Sequence, residues 1–204
     1  MKFFKALLKS LLCIMLVSII GTGLCSCGTR VTDEGAKNVV NELVKKSYEL
    51  NRIYFGTGLK YIDSEEYKDS KYAPISEEEK IKNTTDLREG TNKVFSEEYS
   101  KSILTMALFG ASSGDGQAAL FARYVEKDGL LTVYKNYKPL VLKDGELVPS
   151  EKNFEINEYD PTKTVVTKNS RNFIEATITS LDGETINITI VYEDNGWRID
   201  SPTY

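Results

Sequence analysis

The sequence predicts an α+β fold in which N-terminal helices pack on a curved antiparallel sheet. Three observations carry this. Apolar residues recur at helical spacing between positions 33 and 108. From Ala118 the period shortens to two. Asp-Gly pairs then recur at 128–129, 144–145 and 182–183, with Asp194-Asn195-Gly196 after them. Such pairs suit tight hairpins, because both central residues of a type I′ turn need positive φ. The chain has 204 residues, of which 41% are hydrophobic, enough for one domain behind a leader.

Met1 to Cys27 has the layout of an export signal. Lys2, Lys5 and Lys9 precede an apolar stretch from Leu11 to Ile20, which gives way to the small residues Gly21, Thr22 and Gly23. That stretch is about half of the roughly 20 residues a membrane span requires. Leu24-Cys25-Ser26-Cys27 looks like a bacterial lipobox, with Leu at −3 and a small residue at −1. Cys25 is the competing attachment point, but Leu24 before it is a poor −1 residue. The pattern assigns residues 1–26 to a lipoprotein signal and Cys27 to a thioether-linked diacylglycerol. Each buried methylene adds about 0.8 kcal/mol, so two or more chains anchor stably. A Cys25–Cys27 disulfide is disfavoured, because one intervening residue strains it. The expected location is the extracytoplasmic face of the cell membrane.

Residues 27–35 read as a lipidated tether and 36–204 as the folded domain. Ala36, Val39, Val40, Leu43, Val44 and Ser47 share one helical face, predicting a helix over about 33–54. Gly56-Thr57-Gly58 ends it. From there to Lys82 the chain is rich in charge and tyrosine, contains Pro74, and reads as an irregular crossing segment. Such a long loop is usually packed or functional. A second helix is expected near Thr85, capped by Asp86 with Glu89 three residues on, its apolar face marked by Leu87, Val94 and Phe95. Ser96 caps a third helix, with Glu97 and Glu98 in its first turn and Tyr99, Ile103, Leu104, Ala107 and Leu108 as the buried stripe. Gly110 closes it. Strands are expected at 121–125, 130–134, 164–167, 173–180, 185–193 and 197–200, rich in β-branched and aromatic residues and forming one antiparallel meander.

Composition removes several functional classes. With no histidine, Ser-His-Asp, Cys-His and His-zinc chemistry is excluded. A formal charge of −4 and an isoelectric point near 5.1 argue against nucleic acid as a partner. Processing removes three lysines from that −4, leaving a formal −7 over residues 27–204. Cys13 and Cys25 depart with the signal and Cys27 carries lipid, so the domain has no free thiol.

The run Gly110-Ala111-Ser112-Ser113-Gly114-Asp115-Gly116 resembles an anion-cradling loop but lacks the Walker lysine, and a helix-to-strand connection accounts for it. Asp63, Glu65, Glu66 and Asp69, then Glu77, Glu78 and Glu79, could supply hard oxygen ligands or a glycosidase pair. Their spacing matches no EF-hand loop, and a solvated acidic face accounts for them. No cofactor, metal or catalytic residue is assigned. The chain carries 12 tyrosines. Tyr61, Tyr67 and Tyr72 stand at irregular spacing among charges in the crossing segment, which marks them as candidate partner contacts, since tyrosine brings area and a hydroxyl at modest entropic cost.

Two resemblances add to this reading. The order of elements and the final Val191-Tyr192-Glu193-Asp194-Asn195-Gly196-Trp197-Arg198-Ile199 hairpin resemble the NTF2-like, cystatin-like cone folds. The pieces Ile53-Tyr54-Phe55-Gly56-Thr57-Gly58-Leu59, Tyr72-Ala73-Pro74-Ile75, Thr85-Asp86-Leu87-Arg88, Val94-Phe95-Ser96-Glu97-Glu98-Tyr99 and Ala122-Arg123-Tyr124-Val125-Glu126-Lys127-Asp128-Gly129-Leu130 are similar in order to the IseA-like DL-endopeptidase inhibitors of Gram-positive bacteria. The second resemblance implies a non-enzymatic envelope protein that covers the active-site cleft of cysteine-dependent peptidoglycan endopeptidases. It assigns no inhibitory residues. The alternative is a small-ligand carrier, since cone-shaped folds enclose a cavity between helix and sheet. An enzyme built on Asp, Glu, Tyr and Lys alone ranks last.

Overall fold

A computed structural model describes residues 30–112, 119–143, 146–150 and 154–204. The expected export signal, Cys27, residues 113–116 of the glycine-rich run and the Asp144-Gly145 pair lie outside the described residues.

The first helix, α1 (Asp33–Tyr54), follows from its sequence. Thr32 is the N-cap, its Oγ1 accepting the Gly35 N–H at 3.0 Å, while Asp33 and Glu34 complement the positive end of the dipole. The helix therefore begins inside the segment read as tether. Ala36, Val40, Leu43, Val44, Ser47, Leu50, Asn51 and Tyr54 form its buried stripe.

The crossing segment is more regular than its composition predicts. After a 3-10 turn at Glu65–Tyr67, the strand β1 (Tyr72–Pro74) folds back beside Lys60–Ile62. Ile62 donates to the Pro74 carbonyl and Ser76 to the Lys60 carbonyl, both at 2.8 Å. Pro74 has no N–H to offer, yet its carbonyl is fully used, which lets a proline sit in so short a strand.

Helix α2 (Thr84–Asn92) is capped by Asn83, not Asp86. The Asn83 amide oxygen accepts the Asp86 N–H at 2.8 Å, and the Asp86 carboxylate reaches back to the Lys82 N–H at 2.8 Å. Asp86 is thus the third residue of the first turn, the reciprocal half of a capping arrangement. The helix stops at Asn92, so Val94 and Phe95 belong to the turn that follows it. There Phe95 bridges to Ile199, tying the junction to the end of the domain. Helix α3 (Glu97–Phe109) starts where expected, with Ser96 Oγ accepting the Tyr99 N–H at 3.1 Å, and Gly110 ends it at φ 75°.

The strands do not make one meander. After the short pair β2 (Ala111–Ser112) and β3 (Ala119–Leu120), the hairpin β4 (Tyr124–Lys127) and β5 (Leu130–Tyr134) pairs with β1 in a three-stranded antiparallel sheet ordered β1-β5-β4. A second short pair, β6 (Leu140–Lys143) and β7 (Glu146–Pro149), comes next. Then β8 (Val165–Asn169), β9 (Phe173–Thr179), β10 (Thr185–Glu193) and β11 (Gly196–Ile199) form a four-stranded antiparallel meander. Two turns are as the sequence demands: Asp128 and Gly129 have φ 53° and 77°, and Asp194 and Asn195 have 46° and 61°. The Asp182-Gly183 turn differs, with positive φ at Gly183 but not at Asp182, in a longer loop closed by the Ser180 N–H on the Glu184 carbonyl.

The core lies between α1 and the inner face of the four-stranded sheet, where Ile174, Ile178, Ile188, Ile190 and Ile199 meet Val40, Leu43 and Leu50. Each such side chain, once fully buried, contributes about 1.5–3 kcal/mol. A polar hub threads this layer: Thr203 bonds Ser47 Oγ at 2.9 Å and Asn51 Nδ2 at 2.7 Å, and its carbonyl accepts the Tyr159 hydroxyl at 2.9 Å. Tyr204 stacks on Phe55 at 4.2 Å between centroids.

The segment leading into β4 is fixed to the C-terminal end of α1 through Arg123, which is only 2% exposed. Its Nη1 donates to the Tyr54 carbonyl at 2.8 Å and its Nη2 to the Gly56 carbonyl at 2.6 Å, while its Cζ lies 4.3 Å from the centre of the Tyr137 ring. Gly58, at φ 81°, passes so close that a Cβ there would stand 2.5 Å from Nη2. Gly129 has a similar φ of 77° and open space around it. Gly58→Ala is therefore expected to destabilise by about 1–3 kcal/mol more than Gly129→Ala in urea unfolding. Equal losses in the two variants would show that the Arg123 contact does not require a glycine.

Candidate functional site

The three-stranded sheet turns Ala73, Tyr124, Leu131 and Val133 inward to the core. Its register fixes what the other face carries. Tyr72 stands opposite Tyr134, and Pro74 opposite Thr132, which in turn faces Val125. Leu130, two residues before Thr132 on the same strand, shares that side. Ile62, hydrogen-bonded to the Pro74 carbonyl, continues the row at the sheet margin.

These outward residues are mostly apolar. Among the described residues, the exposed large hydrophobic side chains are Tyr61, Ile62, Phe109, Phe121, Val125, Leu130, Val165 and Leu181, and five of these eight sit on or beside this sheet. Leu130 is 60% exposed and Phe121 46%. Aromatic rings line one end: Tyr72 and Tyr134 have centroids 5.4 Å apart, Phe121 and Tyr134 5.2 Å, and Lys71 Nζ stands 4.7 Å from the Phe121 centroid. The Tyr72 hydroxyl donates to the Ala122 carbonyl at 2.8 Å, which fixes its ring. A contiguous apolar surface of this kind marks a contact site more often than scattered single residues do.

The three tyrosines singled out from sequence are all placed around β1, but they do not act together. Tyr72 belongs to the aromatic row. Tyr61 lies at the sheet edge, bridged to Ile75. Tyr67 is in the 3-10 turn, where its carbonyl accepts Lys135 Nζ at 2.6 Å and the Glu66 carboxylate raises its phenol pKa. Sequence reasoning missed Ile62, Phe121, Val125, Leu130 and Tyr134. A signal was present: Leu130-Leu131-Thr132-Val133-Tyr134 is apolar in both phases, whereas a strand with one solvated face alternates.

The acidic clusters serve local structure. Glu65 pairs with Lys68 at 3.3 Å and Glu79 accepts the Lys60 N–H at 2.8 Å. Among the described residues, no group of three or more acidic or thiol side chains is placed to hold a metal ion.

Two clefts open beside α1. The larger, of about 560 Å³, runs between the helix and the segment from Glu158 to Thr164. The smaller, of about 370 Å³, is lined by Arg52, Gly58, Lys60, Glu78 and Glu79 among others. Both lie on the flank of the helix, whose inner face is filled by the core.

Several phenols are held neutral. Burial raises Tyr54, Tyr99 and Tyr124, and pushes Tyr204 up to about 12. Tyr159 also reaches about 12, chiefly through burial and then through the Glu184 and Asp182 carboxylates.

No protein-family model matches the chain, and no curated protein does.

The tyrosine shifts set an alkaline limit. A phenol whose folded pKa lies above its unfolded value of about 10 keeps its proton longer in the native state, so its contribution is complete below about pH 10 and is lost as pH rises toward the folded pKa. Urea midpoints are expected to hold from about pH 8 to 10 and to fall steeply between about 10 and 12. A flat profile across that window would contradict the burial of these phenols.

Proposed function

We propose that this chain is a lipid-anchored, non-enzymatic protein of the extracytoplasmic membrane face that binds and inhibits peptidoglycan DL-endopeptidases through the outer face of its three-stranded sheet. The observation that carries the reading is the concentration of exposed apolar and aromatic side chains on and beside that sheet. The lipobox ending in Cys27 supports the anchor. The lack of histidine and of a thiol in the domain supports a non-catalytic role. The finer fold we propose is the cystatin-like, NTF2-like cone, a reading supported by the packing of α1 on the antiparallel meander. A formal −7 on the exported part speeds encounter with a basic wall hydrolase, since complementary charge acts mainly on association rate. The second reading, a small-ligand-binding envelope protein, is favoured by the cleft of about 560 Å³ along α1.

The test is an inhibition assay with cysteine-type endopeptidases on purified cell walls. Phe121→Ala combined with Leu130→Ala is expected to weaken inhibition at least about tenfold, as loss of central apolar anchors does. Leu181→Ala, an exposed residue distant from this sheet, should leave inhibition unchanged. Tyr72→Ala should follow the double variant. A folded protein that does not inhibit at any dose would sink the endopeptidase reading. The anchor is tested separately: Cys27→Ala is expected to move the protein out of the membrane fraction, and retention there would overturn the lipid assignment.

A further inference from the structure

The larger cleft is a built feature with its own chemistry. On one wall stand Asn41, Lys45, Tyr48 and Glu49 of α1, and on the other Glu158, Tyr159, Pro161 and Thr164, with Val44 at the base. The far wall is clamped to the helix. Asn41 Nδ2 donates to the Pro161 carbonyl at 3.2 Å, Thr164 Oγ1 donates to Asn41 Oδ1 at 2.6 Å, and Lys37 Nζ donates to the Thr162 carbonyl at 3.2 Å. Tyr159 is pinned by its hydroxyl bond to the Thr203 carbonyl and by its bridge to Ser180. The cleft is therefore preformed, and its volume suits a small organic molecule rather than a folded domain.

Its lining carries three carboxylates and one ammonium. Glu42, Glu49 and Glu158 line it against the single ammonium of Lys45. Glu42 pairs with Lys46 at 2.6 Å and Glu49 with Arg52 at 3.3 Å, while among the described residues Glu158 has no salt-bridge partner. Asp182 and Glu184 add negative charge behind Tyr159. Two phenol rings and a valine supply apolar walls, and the negative face of such rings attracts cations.

We propose that this cleft binds an amphipathic organic ammonium, with the cationic head at Glu158 between the Tyr48 and Tyr159 rings and the apolar body on Val44 and Pro161. An anion of the same shape meets the carboxylates and is rejected. The site is separate from the apolar sheet face, so it stands or falls independently of the inhibitor reading.

The test uses the full-length chain in lipid nanodiscs, with empty nanodiscs as the blank, and calorimetric titration with three probes of one shape: 2-phenylethylammonium, 2-phenylethanol and 3-phenylpropionate. The ammonium is expected to bind saturably with Kd of about 0.1–5 mM, the alcohol at least about fivefold more weakly, and the carboxylate more weakly still. Glu158→Gln should bring the ammonium to within about twofold of the alcohol, and Lys45→Glu, at an exposed position, should tighten the ammonium about two- to threefold. Tyr48→Ala should weaken both binding probes. Equal affinity for all three probes, preference for the carboxylate, absence of saturable binding, or ammonium binding insensitive to Glu158→Gln and Lys45→Glu would each overturn the proposal.

Discussion

The guanidinium of Arg123 is the contact on which the arrangement depends. Placing a permanent cation in a protein interior costs several kcal/mol, and its described partners are two carbonyls and the rings of Tyr137 and Tyr124 rather than a carboxylate. Those carbonyls sit at the C-terminal end of α1, where the helix dipole is negative and the last carbonyls lack intrahelical donors. Hydrogen bonds to a charged donor are worth about 1.5–3 kcal/mol each, so the pair offsets much of the desolvation. Tyr124, the next residue, reinforces the junction: its hydroxyl donates to the Ile53 carbonyl and accepts the Leu59 N–H. One end of a helix and the first strand of a hairpin are thus fixed by four bonds from adjacent residues.

The hairpin belongs to a sheet separate from the meander, and β1 is the partner of β5. The two sheets then differ in what they offer outward. The four-stranded sheet shows Glu175, Thr177, Thr179, Asn187 and Thr189, with Thr177 Oγ1 donating to Asn187 Oδ1 at 2.7 Å, and beside them Phe173, Val191 and the exposed Val165. That is an ordinary solvated face. Its edge strand β8 carries a bulge between Val166 and Lys168, a device that resists edge-to-edge pairing. The smaller sheet sets Thr132 and Lys127 among Tyr72, Pro74, Val125, Leu130 and Tyr134, so its outward face is the more apolar of the two.

What was legible in the sequence was whatever depends on local periodicity and capping. Helix α1 follows from Thr32 and its apolar stripe, α3 from Ser96 and Gly110, and the hairpins from Asp128-Gly129 and Asp194-Asn195-Gly196. What was not legible depends on remote partners. Tyr72-Ala73-Pro74 is a strand only because β5 lies beside it, and three residues around a proline give no period to read. Asn83 was overlooked as a cap because Asp86 and Glu89 satisfy the same pattern three residues later. Arg123 could not be assigned to the interior, since charge is a surface signal unless the carbonyls that receive it are known. For the contact face, tyrosine abundance led to Tyr72. Val125, Leu130 and Phe121 read only as strand residues, because composition alone does not say which side of a strand faces water.

The Thr203 hub bears on how the chain reaches this state. Ser47 and Thr203 are 156 positions apart, and Asn51 and Thr203 are 152 apart. The polar groups on the buried side of α1 are therefore without these partners until nearly the whole polypeptide has been delivered. Contacts of such separation slow closure, because loop entropy must be overcome before they form. Native closure therefore comes late in the delivery of the chain, only once the segment around residue 203 is present to complete the core.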